Sequence, residues 1–144
     1  MNSVRDYLGD DHARCDDLFA QAEKQVADGD WDNARISHDK FIHGMERHLG
    51  MEESLLFPAF EQASGSEMGP TAVMRHEHVQ MRQLFAAMEE SLQRKSAEDY
   101  LGNSETLLIL MQQHNAKEEQ ILSPLLDRML ASPLPSLLQQ MESL

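Results

Sequence analysis

The stretch His48-Leu49-Gly50-Met51-Glu52-Glu53-Ser54-Leu55-Leu56-Phe57-Pro58 returns 66 residues later as His114-Asn115-Ala116-Lys117-Glu118-Glu119-Gln120-Ile121-Leu122-Ser123-Pro124. Each copy sets a histidine, a glutamate four residues on, a second glutamate, an apolar pair and a proline in the same order. Positions i and i+4 of a helix share a face, so each copy aims an imidazole and a carboxylate the same way. The same shift lays Asp11-His12-Ala13-Arg14-Cys15-Asp16-Asp17-Leu18-Phe19 on Glu77-His78-Val79-Gln80-Met81-Arg82-Gln83-Leu84-Phe85. The chain therefore reads as two tandem helix-turn-helix units, each with one His and one His-x-x-x-Glu. Two such hairpins packed face to face make an all-α, antiparallel up-down four-helix bundle with approximate twofold symmetry.

Composition narrows the function. The chain has 144 residues, with 12 Lys and Arg against 25 Asp and Glu, a formal net charge of −13. That balance argues against nucleic acid or an anionic membrane surface as a partner. No apolar run approaches the ~20 residues of a spanning helix, and Met1-Asn2-Ser3-Val4-Arg5-Asp6-Tyr7 is too polar for a signal-peptide core. A single cysteine excludes an internal disulfide and suits a reducing compartment. A soluble cytoplasmic protein, monomer or homodimer, is the expectation. Residues 1–130 are assigned to the bundle and 131–144 to a C-terminal tail that can add a short packed helix.

Punctuation sets the helices. The first is expected from Ser3 to Asp28-Gly29, and the second from the N-cap Asp30. Pro58 lacks an amide donor and clashes with the preceding turn, which predicts a kink or an end there. Ser64-Gly65-Ser66 reads as a turn, Pro70 as the opening of the third helix, and Ser96 with Asp99 as the cap of the fourth. Pro133 and Pro135 close the fourth helix, and Leu134, Leu137, Leu138 and Met141 give the tail an apolar face.

Stacking the helical seams yields layers. Cys15, Met45, Met81 and Met111 form one, and Phe19, Phe41, Phe85 and Leu107 the next. On the other side the spacing predicts Leu8, Leu55, Met74 and Ile121, with Ala59 and Leu125 continuing those seams. Between them fall His12, His48, Glu52, His78, His114 and Glu118. A lone His-x-x-x-Glu is ordinarily a surface pair, and a lone histidine on an apolar stripe a satisfied core residue. Here four His and two Glu, all on core seams, are related by a single shift.

Ionised carboxylates in an apolar layer are costly without a partner, and no Lys or Arg occupies these seams. Four neutral imidazoles and two carboxylates are instead a ready ligand set for two metal ions, with the carboxylates able to bridge. That donor set suits iron, manganese or zinc better than copper(I) or calcium. His76 matches Asp10 across the repeat, His43 matches Ile109, and His38 lies ~15 Å along the helix from His48. None of these three is assigned as a ligand. Cys15 matches Met81, which favours packing over ligation.

At these residues the chain resembles the hemerythrin-like, or HHE cation-binding, family, and the likeness covers roughly residues 4 to 130. The resemblance implies a four-helix bundle with a non-haem di-iron centre. His12, His48, His78 and His114 would be terminal ligands, Glu52 and Glu118 would bridge, and an oxo, hydroxo or water bridge would complete the pair. The oxygen-carrying hemerythrins place a further histidine where this chain has Met74, and use a fourth-helix aspartate spaced further from its histidine. That departure weighs against reversible oxygen transport and leaves oxygen binding open. The six-ligand pattern is similar to bacterial proteins associated with repair of iron centres after nitrosative stress.

The leading expectation is a di-iron protein that binds or reacts with O₂, NO or peroxide, with no separate catalytic residues assigned. Its rival is an iron carrier or sensor without turnover, linked to iron homeostasis or to nitrosative or oxidative stress. A metal-free interaction bundle is the third class.

Overall fold

Ser3 accepts a hydrogen bond from the Asp6 amide and so caps α1, Val4–Ala27. The computed structural model describes residues 3–65, 68–129 and 134–144. Gly29, at φ +73°, turns the chain, and the Asp30 carboxylate caps α2, Trp31–Met51. After α3, Phe57–Ser64, Gly65 again takes a positive φ of +71°. Ser66, expected in this turn, lies outside the described residues. Pro70 occupies the first turn of α4, Pro70–Gln93, and Ser96 accepts from the Asp99 amide at the start of α5, Ala97–Lys117. Two short helices follow, α6 over Ser123–Met129 and α7 over Leu134–Glu142. Among the described residues there is no strand, and no helix is long and apolar enough to cross a membrane.

Pro58 neither ends its helix nor stands alone. Glu52–Leu56 forms a π-helical turn in which the Phe57 amide reaches back five residues to the Glu52 carbonyl. Glu118–Leu122 repeats it, with the Ser123 amide on the Glu118 carbonyl. In both, the proline follows one residue later, where an α-helix would need an amide that proline lacks and would press the ring on the carbonyl four residues back. The wider π turn inserts one residue and lets the helix continue as α3 or α6.

That extra residue corrects one expected layer. Leu56 and Leu122 are fully buried beside Leu8 and Met74, whereas Leu55 is half-buried and Ile121 is 45% exposed. The seam shifts likewise from Ala59 to Phe60 and from Leu125 to Leu126, which are buried. Pure 3.6-residue periodicity could not foresee the slip, because it begins inside the turn itself.

The hairpins α1–α2 and α4–α5 pack through α1 against α5 and α2 against α4. Two apolar clusters result. One holds the Cys15–Met45–Met81–Met111 and Phe19–Phe41–Phe85–Leu107 layers. The other holds Leu8, Leu56, Phe57, Met74, Leu122 and Leu126, capped by Leu137, Leu138 and Met141 of α7. Tyr7 donates its hydroxyl to the Met141 carbonyl, so α7 closes the end of its own bundle. The side chain of Leu134 lies outside the described residues. Between the two clusters runs the polar layer.

The π-turn register is directly testable. Leu122→Ala should cost about 2–5 kcal/mol as a buried Leu truncation, and Ile121→Ala about 0.5 kcal/mol or less as a surface change. Urea unfolding of the two variants, prepared in the same metal state, checks the order; a reversed order would restore the unshifted seam.

Candidate metal centre

Each group of the polar layer is delivered by a different part of the bundle. His12 comes from α1, His48 from α2, His78 from α4 and His114 from α5, while Glu52 and Glu118 open the two π turns. The structure brings all six together, and none is more than 7% exposed. Because the π bond begins at each glutamate carbonyl, the His-to-Glu step before it stays α-helical and keeps imidazole and carboxylate on one face.

The layer divides into two halves. In one, His12 Nε2 lies 3.2 Å from His48 Nε2 and 2.9 Å from Glu118 Oε1, and His48 Nε2 lies 2.9 Å from Glu52 Oε2. In the other, His78 Nε2 lies 3.2 Å from His114 Nε2 and 2.8 Å from Glu52 Oε1, and His114 Nε2 lies 3.3 Å from Glu118 Oε2. Glu52 therefore offers Oε2 to the first half and Oε1 to the second, while Glu118 does the reverse. Each carboxylate spans both halves.

Outside this layer stand four carboxylates that sequence reasoning left without a role. His48 Nδ1 donates to Asp11 at 2.6 Å and His114 Nδ1 to Glu77 at 2.9 Å, each within its own repeat. His12 Nδ1 donates to Glu119 at 3.0 Å and His78 Nδ1 to Glu53 at 2.7 Å, each across to the other repeat. Three of the four are gripped in turn by a cation: Asp11 by Arg14, Glu77 by Lys117, and Glu53 by Arg82 at 2.6 Å. The signal was present, since Asp11 and Glu77 directly precede His12 and His78, and Glu53 and Glu119 directly follow Glu52 and Glu118. Their partners are on other helices, so no local spacing revealed them.

This outer ring decides whether the inner layer fits metal. A carboxylate at every Nδ1 holds the proton there and turns the Nε2 lone pair inward, as is usual for metal-ligating histidine. Nε2 then faces Nε2 and carboxylate oxygen, lone pair against lone pair. Glu52 Oε2 and Glu118 Oε2 are buried and accept no hydrogen bond, although His48 and His114 nitrogens lie close; the approach is not that of a donor. Buried acceptors converging without a donor are costly. Adjacent ligands of an ion with ~2.1 Å bonds sit ~3 Å apart, which matches the spacing here. The residues fit a pair of cations.

Where a proton rather than a metal lies between these atoms, the charges are strongly coupled. Burial lowers the His48 pKa, but the neighbouring carboxylates of Glu52 and Asp11 outweigh it and raise it to about 10. His114 is likewise raised, burial being overcome by Glu52 and Glu77. His12 is lowered by burial and by the neighbouring His48 charge. Burial would raise Glu52, yet His48, His114 and His78 hold it well below the ordinary carboxylate range. Asp11 falls to about 2, burial being outweighed by His48 and Arg14.

The remaining candidates sit elsewhere. His43 and His76 are exposed. His38 is buried with Nδ1 2.9 Å from the Tyr100 hydroxyl and Nε2 4.0 Å from Glu89 Oε1. That second His–Asp–Glu grouping already contains a cation, because Arg35 holds Glu89 at 2.7 and 2.8 Å and Asp39 at 3.1 Å. Cys15 is buried, and burial raises its thiol pKa, so it packs as a small neutral group.

A family model described as the hemerythrin HHE cation binding domain matches residues 3–126. The chain belongs to that family. Together, the domain and the buried His/Glu groups indicate a dinuclear metal-binding site. No curated protein and no solved structure matches the chain.

Two outcomes follow for the centre. Asp11→Asn or Glu77→Gln should weaken metal binding by about 10–100-fold, as loss of a histidine's outer partner does elsewhere; chelator competition reads it, and unchanged affinity would remove the outer ring from the account. The second concerns pH. A histidine raised from 6.5 to about 10 contributes stability that is full below 6.5 and lost as pH rises through 10. Metal-free protein should therefore lose thermal stability between pH 6.5 and 10, whereas metal-loaded protein, with the imidazoles held by metal rather than proton, should change little. Parallel pH curves would contradict this.

Proposed function

We propose that the chain is a carboxylate-bridged di-iron protein that binds or reacts with a small ligand, O₂, NO or peroxide. In this reading His12 and His48 would hold one iron, His78 and His114 the other, and Glu52 and Glu118 would be shared between them. The observation that carries it is the split of each carboxylate, one oxygen to each half of the layer. Two imidazoles and two carboxylate oxygens per ion would leave room for a further ligand on each. When bound, such a pair would supply those open positions, and electrons, to a diatomic molecule or peroxide.

The protein side of this chemistry is positioning and exclusion. Asp11, Glu53, Glu77 and Glu119 keep each ring oriented, and the sulfur and apolar layers keep bulk water out. A cavity of about 10 Å³ adjoins the layer on the α1–α5 side, with His12, His48 and His114 on one wall and Cys15, Met45 and Met111 on another. It has room for about one water-sized molecule, which favours a diatomic ligand over an organic substrate. Burial of all six groups favours a retained metal over the readily exchanged ion of a carrier or sensor.

Anaerobic iron(II)-loaded protein exposed to O₂ or NO should develop new visible charge-transfer bands. Spectra that stay unchanged, with iron still bound, would reject the small-ligand reading. The double change Glu52→Gln, Glu118→Gln separates this reading from a metal-free interaction bundle. It should abolish metal retention here, and leave a metal-free bundle unchanged or more stable.

A further inference from the structure

The two repeats share their buried residues but differ on one outer face. Between α4 and α5 of the second repeat runs a shallow groove of about 480 Å³, floored by Leu84 and Leu110. Its walls are Gln80, Gln83, Thr106, Ile109 and Gln113. Shifted back by 66 residues, those five positions are Arg14, Asp17, Lys40, His43 and Arg47. At these five positions, all ionisable in the first repeat, the second repeat has a neutral side chain. In a chain where 26% of residues are charged, the groove carries no charge at all. Ile109, the counterpart of His43, is 53% exposed.

We propose that this face is the contact between two copies of the chain, related by a twofold axis that sets α4 and α5 of one against α4 and α5 of the other. Charge identifies the occupant. Each copy carries a formal −13, so a second copy is repelled by most of the surface and meets no repelling group at this groove. A basic partner would be recognised by carboxylates, and the groove offers none. Glutamine is both donor and acceptor, so facing Gln80, Gln83 and Gln113 side chains can satisfy one another across an axis that repeats the same patch. The segment from α7 to Leu144 is engaged elsewhere: α7 caps the bundle end, and Arg47 of the first-repeat face donates to the Leu144 carbonyl.

The test is the mass of the full chain in solution, by light scattering and sedimentation over a wide concentration range. The expected result is a particle of twice 16.4 kDa at high concentration, with association strengthened by added salt, which screens like charges outside a neutral contact. Transplanting the first repeat's residues as Thr106→Lys, Ile109→His and Gln113→Arg should weaken dimerisation at least tenfold. Helical content and metal content should stay unchanged, because all three positions are exposed. A monomer at every concentration overturns the proposal, whether or not some other protein binds the groove. So does a dimer indifferent to the triple change, or one that salt dissociates, since either places the contact on another face.

Discussion

Buried acceptors must meet a donor or a cation, and this bundle concentrates eight of them at its centre: four Nε2 atoms and four carboxylate oxygens. Most of the architecture follows from that constraint. The outer carboxylates hold a proton on each Nδ1 and so turn each Nε2 toward the inner face. Arg14, Arg82 and Lys117 then offset the charge of three of those carboxylates from outside. The apolar clusters above and below prevent water from solving the problem cheaply. A pair of cations would satisfy all eight atoms at once, because each of the two carboxylates offers one oxygen to either half.

The outer ring also joins the repeats. Asp11 and Glu77 orient a histidine of their own hairpin, whereas Glu53 and Glu119 reach across to the other hairpin's first histidine. Folding of one hairpin therefore leaves its centre incomplete. The π turns serve the same geometry, since each starts at a glutamate of the polar layer and lets the helix pass its proline without losing the apolar seam beyond. One inserted residue moves Leu56 and Leu122 inward and Ile121 outward.

Repeat symmetry made much of this legible beforehand. The shift of 66 predicted the all-α bundle and the six residues that converge, and it separated His78 from His76. Caps at Ser3, Asp30 and Ser96 were readable because capping is a local affair of side-chain oxygen and nearby amide. The π turns were not readable, because proline announces a disturbed helix without saying whether it bends, stops or widens. Nor was the outer ring, since Asp11 finds His48 and Glu119 finds His12 only after the helices pack. The same repeat comparison that exposes the buried likeness also isolates the neutral α4–α5 face as a difference.

An acceptor-rich layer of this kind is suited to hold a metal pair. Elemental mass spectrometry on untagged protein, as purified and after anaerobic reconstitution with iron(II), tests it most directly. The account predicts about two metal ions per chain, mostly iron, lost when Glu52 and Glu118 become glutamine. Protein that carries no metal and takes up none on reconstitution, while remaining folded, would contradict it.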